Sequence, residues 1–352
     1  MVTLKEVADF ANGKAHEDSV SENGKYILIN SKFISTEGNV KKYTDMQLSP
    51  LYKSQIVMVM SDLPNGKALA KCYYINEDNK YTLNQRICSL TPTCCDSLFL
   101  LYQINRNKYY LRFDDGVNQT NLKKGEVLNC PVYLPSSNEQ QKISALLSLL
   151  DQRIETQRKI IEDLKKLKDA IRCKYLFDQS WKEYKISEIS ILGRGRVIST
   201  TEISKQERPQ YPVYSSQTSN NGVMGYLDNY DFDGEYITWT TDGANAGTVF
   251  YRNGRFNCTN VCGTIKVNEN IDTYFLSVVL QSATAKYVST NLANPKLMNN
   301  TMASIRVKLP DIDTQKYWSH ILRHMDNKIE AEFKYERLLI QQKTYLLSVL
   351  FI

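Results

Sequence analysis

Two stretches of the chain, residues 132–155 and 307–330, carry the same pattern of residues. The first reads VYLPSSNEQQKISALLSLLDQRIE and the second reads VKLPDIDTQKYWSHILRHMDNKIE. Aligning Pro135 with Pro310 gives an offset of 310 − 135 = 175 residues. The same offset matches Asp151 with Asp326, Ile154 with Ile329, and Leu164 with Leu339. A duplicated pattern of this length predicts a duplicated fold.

The match extends upstream of these stretches. DSLFLLYQI from Asp96 aligns with DTYFLSVVL from Asp272 at an offset of 272 − 96 = 176, and Ile87 aligns with Val261 at 261 − 87 = 174. Near the start, LKEVADF echoes ISEISIL. A chain of 352 residues is long enough for two buried cores. We therefore predict two copies of one unit, residues 1–177 and 178–352.

Each copy has the same predicted order, a strand-rich globular part followed by a long helix. In the first copy, apolar alternation predicts strands in KYILINSKF, QIVMVMSD, ALAKCYYI and NQRICSL, with a turn at Pro64-Asn65-Gly66. In the second copy, Asn253-Gly254 lies between two strand-like runs, which is a strong hairpin signal. The DSLFLLYQI and DTYFLSVVL segments are expected to be helices that cover the sheets. The predicted fold class is α+β, with two mixed α/β globular domains.

A proline followed by good N-cap residues precedes each long helical run: Ser136, Ser137 and Asn138 in the first copy, and Asp311 and Asp313 in the second. Apolar positions then repeat in alternating steps of four and three, which is the heptad pattern of a coiled-coil seam. The predicted seams are Ile143, Leu147, Leu150, Ile154, Gln157, Ile161, Leu164, Lys168, Ile171 and Tyr175, and Trp318, Leu322, Met325, Ile329, Glu332, Glu336, Leu339, Lys343, Leu346 and Leu350.

Matching seams in one chain predict that the two helices pair with each other, antiparallel, as an intramolecular coiled coil with a pseudo-twofold axis relating the copies. Forty residues, 138–177, would form a rod of about 60 Å. The alternative is a packed helical bundle with no spacer role. The predicted domains are residues 1–135 and 179–310, which are globular, and residues 136–178 and 311–352, which are helical.

Composition sets only broad limits. The net charge of +6 suits a polyanionic partner but is common in other proteins. No apolar run reaches the roughly 18 residues of a membrane helix, and the first residues lack a secretory signal pattern. A cytoplasmic location without membrane association is therefore expected. The eight cysteines form no CxxC pair, so reduced, buried thiols are expected.

The order of these features resembles the specificity subunit of Type I restriction–modification systems. The resemblance rests on LPxxxEQQKI, LLSLLDxxIE and LKKLK, on the opening WKEYKISEI of the second copy, and on the second helical region, and it covers essentially the whole chain. One departure is that residue 1 aligns with Glu183, so the first copy has no counterpart of Trp181.

The resemblance implies two target-recognition domains, each reading one half of a bipartite asymmetric sequence in double-stranded DNA. The helices would set the distance between the half-sites and carry two methyltransferase subunits, with restriction subunits joining them. Such a complex methylates adenine and cleaves DNA with ATP. The resemblance implies that S-adenosylmethionine, ATP and Mg²⁺ bind the partner subunits and that this chain is non-catalytic and holds no cofactor.

In the second domain, YSSQTSNNGVMGY and TWTTDGANAGTVF are rich in small polar residues and glycine. Asn and Gln can pair bidentately with adenine, Ser and Thr hydrogen-bond tolerantly, and Gly permits close approach of the backbone. The alternative is that these segments are ordinary turns. The candidate DNA contacts are Ser216, Gln217, Thr218, Asn220, Asn221, Thr241, Asp242, Asn245 and Asn260, with Lys296 as a phosphate contact.

In the first domain the candidates lie in YTLNQRICSL and DDGVNQTNLKK. Arg86 aligns with Asn260 at the offset of 174, and it could contact guanine or phosphate, or pair structurally with Asp114 or Asp115. Gln119 lies opposite Asn294. The further candidates are Asn118, Gln119, Lys123 and Lys124, the lysines as phosphate contacts. The basic run at residues 165–168 is expected to be a solvated helix face, with Lys168 as an exception because it lies in the seam.

Sequence patterns of catalysis are missing. The chain has no Pro-Pro, which the methyltransferase motif of such systems requires, and no G-x-x-x-x-G-K-[ST] nucleotide loop. Gly193-Arg194-Gly195 is too short for such a loop. The pair His320 and His324 lacks a third metal ligand, so exposed helix histidines are expected. Two alternatives stay open: a DNA enzyme with an unrecognised active site, and a coiled-coil protein-interaction scaffold.

Overall fold

The structure is a computed structural model, which describes residues 1–16, 19–176, 178, 180–289 and 294–351. The chain divides into two compact units: unit 1 comprises Met1–Lys159 and Lys334–Ile352, and unit 2 comprises Ile160–Phe333. The helices are α1 (Ser31–Ser35), α2 (Ser97–Ile104), α3 (Lys108–Leu111), α4 (Lys124–Leu128), α5 (Ser137–Tyr175), α6 (Ile186–Ile189), α7 (Thr200–Ser204), α8 (Thr273–Ala283), α9 (Asn299–Ser304) and α10 (Ile312–Leu350).

The strands of unit 1 are β1 (Val2–Thr3), β2 (Ala8–Asn12), β3 (Val20–Ser21), β4 (Tyr26–Ile29), β5 (Tyr43–Thr44), β6 (Ile56–Val59), β7 (Ser61–Asp62), β8 (Cys72–Tyr74), β9 (Tyr81–Leu83), β10 (Ile87–Pro92), β11 (Thr120–Asn121) and β12 (Pro131–Val132). Two four-stranded sheets have the orders β2-β10-β6-β8 and β3-β5-β4-β9. Short two-stranded pairs join β1 to β12 and β11 to β7.

Strand β6 is buried on both faces and separates two apolar cores. Ile56 and Met58 belong to the core that includes α2, whereas Val57 and Val59 belong to the core that includes α1 and β9. This division follows from the two-residue period of a strand, which sends alternate side chains to opposite faces. Within the predicted strand QIVMVMSD, Ile56–Val59 form β6 between β10 and β8, whereas Ser61–Asp62 form β7, which pairs with β11.

The strands of unit 2 are β13 (Lys182–Lys185), β14 (Ser190–Arg194), β15 (Tyr211–Tyr214), β16 (Val223–Leu227), β17 (Tyr236–Thr240), β18 (Val249–Arg252), β19 (Asn257–Cys258), β20 (Cys262–Val267) and β21 (Arg306–Leu309). The central sheet has the order β14-β20-β17-β18, and a smaller sheet has the order β16-β15-β19. Trp239 on β17 is fully buried, and its indole N–H donates to the Leu297 carbonyl at 2.8 Å.

The same polar clamp joins the globular part to the start of the long helix in each unit. In unit 1 the buried Gln140 side chain accepts from the Asp96 backbone N–H at 2.9 Å and donates to the Pro135 carbonyl at 2.9 Å. In unit 2, Gln315 makes the corresponding bonds to Asp272 and Pro310 at 3.0 and 2.9 Å. Asp96 and Asp272 also cap α2 and α8. The duplicated sequence therefore forms duplicated local structure.

One predicted N-cap of each long helix is confirmed, whereas the other candidates, Ser137, Asn138 and Asp313, lie inside the helices. Helix α5 begins at Ser137, where the Ser136 and Glu139 side chains form a reciprocal capping box with distances of 2.7–3.4 Å. Helix α10 begins at Ile312, and the Asp311 carboxylate accepts from the Thr314 backbone N–H at 2.9 Å. Each helix is 39 residues long, which corresponds to about 58 Å.

The two long helices contact each other within each unit. In unit 1, Asp151 on α5 pairs with Lys343 on α10, and Arg158, further along α5, pairs with Glu336, which comes earlier in α10. The two helices therefore run antiparallel. In unit 2, Lys168 pairs with Asp326. Except for Tyr175, whose ring stacks on Trp318 at 5.1 Å, the predicted seam residues are buried or half-buried. The predicted heptad face is therefore the contact face.

Two expectations from local pattern are wrong. Asn253-Gly254 does not join a hairpin, because β18 pairs with β17 and β19 pairs with β15. Gly254 has a φ of 93° but Asn253 does not have a positive φ, whereas a type I′ turn needs both. In the segment 25–33 only Tyr26–Ile29 is strand, since the Asn30 side chain caps α1 by accepting from the Phe33 N–H at 2.9 Å.

All eight cysteines are free thiols, and Cys72, Cys88, Cys130, Cys258 and Cys262 are buried, whereas Cys94 and Cys173 are exposed. The expectation of buried thiols thus holds for five of them. Among the described residues, no helix is both long and apolar enough to span a membrane.

Candidate nucleic-acid interface

The polar segments of unit 2 meet at one edge of its central sheet. Strands β14 and β17 both pair antiparallel with β20, so Arg194 at the end of β14 and Thr240 at the end of β17 lie next to the start of β20. The Thr259 N–H donates to the Tyr214 carbonyl at 2.9 Å, which brings the loop after β15 to the same edge. We call this surface, made of Arg194, residues 215–222 and 241–248, Asn260 and Lys296, the loop edge of unit 2.

The loop 215–222 is shaped by three consecutive residues with positive φ: Asn220 (48°), Asn221 (52°) and Gly222 (83°). Asn tolerates the left-handed region better than most residues, and Gly does so freely. Thr218, Asn220 and Asn221 are exposed, whereas Ser216 and Gln217 are half-buried. The side chains most accessible to a ligand are therefore those at the tip of the loop.

Hydrogen bonds hold the base of this loop against its neighbours. The Asn245 side chain donates to the Ser216 carbonyl at 3.3 Å, which joins the loop 241–248 to the loop 215–222. The Gln217 side chain donates to the Val223 carbonyl. These amides support the loop in the structure, and their contact with bases stays a prediction.

Arg252 lies below this loop and is 3 % exposed. Its guanidinium stacks 3.5 Å from the centre of the Tyr214 ring, and its Nε donates to Thr238 at 3.2 Å. Burial lowers the pKa of Arg252. A Cβ on Gly222 would lie 3.1 Å from Arg252 Nη2, so the loop approaches the cation closely because residue 222 is glycine.

Arg194 is the residue that organises the rest of the edge, and sequence reasoning did not select it. Its side chain donates from Nε to the Asn260 carbonyl at 2.5 Å and from Nη2 to Thr241 Oγ1 at 3.2 Å and Asp242 Oδ2 at 3.3 Å. Lys296 Nζ lies 3.8 Å from Asp242 Oδ1. Three of the predicted residues therefore contact one arginine, and the fourth, Lys296, lies near its partner Asp242. The sequence feature that could have identified Arg194 is its position between Gly193 and Gly195 at the end of a strand.

The four predicted residues around Arg194 differ in exposure. Thr241 is fully buried, and its hydroxyl donates to Asp242 at 2.6 Å. Asp242 is half-buried, whereas Asn260 and Lys296 reach solvent. In this arrangement Thr241 orients the carboxylate, and the outer groups are available to a ligand.

In unit 1 the predicted residues form a second edge around β7 and β11. The Gln119 side chain donates to Ser61 Oγ at 2.8 Å, and the Asn118 side chain donates to Asp115 at 3.0 Å within its own loop. Both are exposed. Lys123 is the N-cap of α4, and Lys124 Nζ lies 5.4 Å from the Phe10 ring. Both lysines reach solvent, as a phosphate contact requires.

Arg86 is exposed and has a φ of 65° in the turn before β10. Its suggested partners Asp114 and Asp115 instead accept hydrogen bonds from their own loop, including the Gly116 N–H at 3.0 Å and the Asn118 N–H at 2.8 Å. Among the ion pairs of the described residues, none involves Arg86. The structural alternative for Arg86 therefore has no support here.

The alignment of Arg86 with Asn260 is wrong by one residue. Backbone hydrogen bonds run from Met60 N to Arg86 O in unit 1 and from Thr241 N to Val261 O in unit 2, so Arg86 is equivalent to Val261. The offset in this strand is therefore 261 − 86 = 175, as in the helices. The similarity of Ile87-Cys88 to Val261-Cys262 suggested an offset of 174 residues. Similar residue types do not fix the register of a strand, whereas the backbone pairing does.

The corrected register shows that equivalent positions carry different chemistry in the two units. Pairing of β2 with β10 and of β14 with β20 makes Asn12 equivalent to Arg194. Ser61 pairs with Asn121 in unit 1, and Asp242 pairs with Lys296 in unit 2. The charged group of Arg194, Asp242 and Lys296 thus replaces the neutral group of Asn12, Ser61 and Asn121.

The described residues contain no cluster of three or more His, Cys, Asp or Glu side chains that could hold a metal ion. His320 and His324 are exposed on α10, with ring centres 4.4 Å apart. Burial raises the pKa of the Cys258 and Cys262 thiols beside the loop edge, the latter to about 11, so these thiols are protonated at neutral pH and poor nucleophiles.

Each unit contains an α/β globular part with polar loops at a sheet edge and a portion of both long helices, which defines a class of proteins with a duplicated α/β domain. The chain belongs to the family of the type I restriction modification DNA specificity domain, whose model matches residues 1–166 and 178–338. The family membership expected from LPxxxEQQKI, LLSLLDxxIE, LKKLK and the duplicated order is thereby confirmed.

Relatives and solved structures agree with this membership. A Mycoplasma pneumoniae protein named as the N-terminus of type I specificity subunit S.MpnORF289P is 48% identical over 142 residues, which cover 40% of this chain and 75% of that protein. The type I restriction enzyme MpnII specificity subunit of the same organism is 40% identical over 155 residues, 44% of this chain but only 46% of that protein.

Among solved structures, the Type-I restriction-modification system S subunit from M. genitalium has a TM-score of 0.68 at 20% identity, and the match covers 98% of this chain and 94% of that one. A chain from a structure on complex assembly and conformational transition of the type I R-M system has a TM-score of 0.59 at 12% identity, with 99% and 96% covered. At these identities the matches establish the fold.

Proposed function

We propose that this chain is a DNA-reading subunit in which each unit recognises one half of a bipartite asymmetric site. The observation that carries the proposal is the equivalence of the two loop edges: the same backbone positions hold Arg194, Asp242 and Lys296 in one unit and Asn12, Ser61 and Asn121 in the other. Equivalent backbone positions that carry different side chains allow the two units to recognise different DNA sequences.

Phosphate contacts would position each edge on the duplex, and side chains at the loop tips would read the bases. The exposed Lys123 and Lys124 of unit 1 suit the first role, as does Lys296 of unit 2, whose side chain is 40% exposed. Asn220 and Asn221, at the exposed tip of their loop, suit the second role because an amide pairs bidentately with adenine.

The long helices would set the distance between the half-sites and carry partner subunits. Apolar side chains outside the seam support docking, because large apolar groups at the surface mark interaction sites when they cluster. Those more than a third exposed on the two helices are Leu146, Leu149, Ile160, Leu167, Tyr317, Phe333, Tyr335, Leu338, Ile340, Tyr345 and Val349. We propose two methyltransferase subunits as the partners there, with restriction subunits joining the complex.

The chemistry would belong to these partners. S-adenosylmethionine, ATP and Mg²⁺ would bind them, and this chain would remain non-catalytic and hold the DNA while an adenine in each half-site is flipped out and methylated. Incubating the purified chain alone with DNA and S-adenosylmethionine, or with Mg²⁺, should give no turnover. Turnover by the chain alone would replace this proposal with an enzyme.

The proposal is tested by exchanging one loop. Methylated positions are mapped in DNA from cells that carry the chain and its partners, first with the wild-type chain and then with residues 215–222 replaced by the corresponding loop of a relative. One half-site should change, and the other half-site and the gap should not. A change in both halves together would contradict two independent readers.

A further inference from the structure

The guanidinium of Arg194 is held along one side only. Nε donates to the Asn260 carbonyl at 2.5 Å, and Nη2 donates to Thr241 at 3.2 Å and to Asp242 at 3.3 Å. A guanidinium carries five N–H groups in one plane. The side shared by Nε and Nη2 is therefore occupied by the protein, and the plane of the group is fixed by two different loops.

The end of the guanidinium is open. Among the described residues, no hydrogen bond is made by Nη1, and the Arg194 side chain is 36% exposed. This end edge of a guanidinium consists of one N–H of Nη1 and one N–H of Nη2, which are parallel and lie in one plane. Such a fork matches a ligand with two adjacent acceptors in one plane.

The support of Arg194 is itself fixed. The fully buried Thr241 donates to Asp242 at 2.6 Å, and Lys296 Nζ lies 3.8 Å from the other oxygen of that carboxylate. The Asp242 carboxylate offsets one of the two positive charges of Arg194 and Lys296, which weakens the electrostatic attraction of these residues for phosphate. The fixed orientation of the Arg194 guanidinium is then its main contribution to binding. A phosphate contact needs charge but no fixed plane, because phosphate oxygens accept from many directions.

Of the base edges in the major groove, guanine alone presents two acceptors, O6 and N7, side by side. Adenine has the N6 amino group where guanine has O6. This donor would face an N–H donor of the Arg194 guanidinium, so no hydrogen bond could form there. We propose that Arg194 reads a guanine in the half-site recognised by unit 2, with Asp242 as the residue that positions it. This inference rests on the proposed function and deepens it.

Unit 1 provides the natural contrast. The equivalent of Arg194 there is Asn12, and the equivalents of Asp242 and Lys296 are Ser61 and Asn121, so no fork of this kind exists at that position. A guanine preference set at this backbone position should therefore belong to the half-site of unit 2 and not to that of unit 1.

The test uses the assembled complex of the full chain with its methyltransferase partner and a randomised DNA library. In Arg194→Lys the charge stays but the fork is lost, and we expect the preference for guanine at one position to fall about ten- to a hundred-fold. Asp242→Asn should weaken the same preference without moving it to another position. All other positions of both half-sites should keep their wild-type preferences.

The matched control is Arg255→Lys, because Arg255 lies in the same unit, is 51% exposed and contacts Asp233 at 3.2 Å outside the loop edge. This variant should keep the wild-type target. If Arg194→Lys methylates the wild-type target with unchanged preference at every position, the inference is wrong while the proposed function stands. If the wild-type complex shows no bipartite preference, the proposed function fails first.

Discussion

Lys168 Nζ lies 2.5 Å from Asp326 Oδ1 in the helix pair of unit 2, and the other carboxylate oxygen of Asp326 accepts from the Tyr274 hydroxyl. In unit 1, Lys343 and the Tyr102 hydroxyl contact Asp151 in the same way. Burial, with the bond to the carboxylate, raises the pKa of both tyrosines, so their hydroxyls donate at neutral pH. Each triad thus joins its own domain helix to both long helices within one unit.

Replacing Lys168 by methionine should therefore destabilise unit 2. The lysine is only 17% exposed, and its loss leaves Asp326 with the tyrosine hydroxyl but no cation. We expect a loss of about 1–2 kcal/mol in the free energy of unfolding, because hydrogen bonds to charged groups contribute on this scale. Denaturant unfolding, combined with hydrogen exchange of α5 and α8, measures the loss and locates it.

The control for this variant is Lys166→Met on the same helix. Lys166 is 67% exposed and pairs with Glu162 one turn away, so its replacement should change the free energy of unfolding by about 0.5 kcal/mol or less. If the two substitutions lower the free energy of unfolding equally, the contacts of Lys168 with Asp326 contribute no more stability than an exposed lysine on the same helix.

A second prediction concerns pH. Glu235 accepts hydrogen bonds from the Tyr251 hydroxyl and from Arg323 at 3.1 Å. Burial alone would raise the pKa of Glu235, but these bonds outweigh it, and the pKa lies below its usual 4.5. A carboxylate whose pKa falls on folding stabilises the folded state above the unfolded pKa, and the contribution is lost as the pH falls through the folded pKa.

Glu235→Gln should thus lower the free energy of unfolding at pH 7 by about 1 kcal/mol or less, because the Glu235 and Arg323 side chains are 42% and 37% exposed and water screens them. The difference between wild type and variant should shrink as the pH falls below 4.5. Urea midpoints of both proteins across this range give the comparison. A difference that stays constant with pH would mean that the charge of Glu235 is not its source.

The sequence predicted the architecture well because periodicity and capping are local properties. The heptad steps identified the contact faces of α5 and α10, and Ser136 and Asp311 marked where these helices begin. The site was predicted less well. Arg194 acts through Asn260, Thr241 and Asp242, which come from three different segments, and only the folded sheet brings those segments together.

The failed hairpin at Asn253-Gly254 has the same cause. A turn signal describes four residues, whereas the pairing of β18 with β17 and of β19 with β15 depends on strands up to about 45 residues away in sequence. The offset error at Arg86 is similar, since only backbone pairing showed that its equivalent is Val261.

A third prediction follows from Gly195. A Cβ at this position would lie 2.1 Å from the Cys258 carbonyl oxygen and 2.4 Å from the Thr259 carbonyl oxygen, so the bridge between Arg196 and Thr259 could not form unchanged. Gly195→Ala should displace the turn that carries Asn260 and weaken recognition of the half-site read by unit 2. Methylation mapping with the variant should show relaxed preference there and a normal half-site for unit 1.

The control is Gly125→Ala in α4, where an added Cβ meets no atom within 4 Å. Alanine is a better helix former than glycine, so this variant should be stabilised by up to about 1 kcal/mol and keep its target. Unaltered recognition in Gly195→Ala would show that the close approach at this glycine does not position the edge.

The last prediction concerns the length of α5 and α10, which we propose sets the distance between the half-sites. The seam repeats every seven residues, so deleting residues 157–163 from α5 together with residues 332–338 from α10 keeps every remaining seam residue on the contact face. These stretches lie opposite each other, since Arg158 contacts Glu336. The deletion shortens each helix by about 10 Å, which equals about three base pairs at roughly 3.4 Å each.

If the helices set the distance between half-sites, the unread gap in the methylated target should shorten by about three base pairs while both half-sites keep their sequences. Removing two residues from each helix instead turns the seam by about 200°, because a helix has 3.6 residues per turn, and we expect a complex that assembles poorly. A folded seven-residue deletion variant that methylates the original target at the original spacing would show that the distance is set elsewhere, because the helices would then have changed length without moving the half-sites.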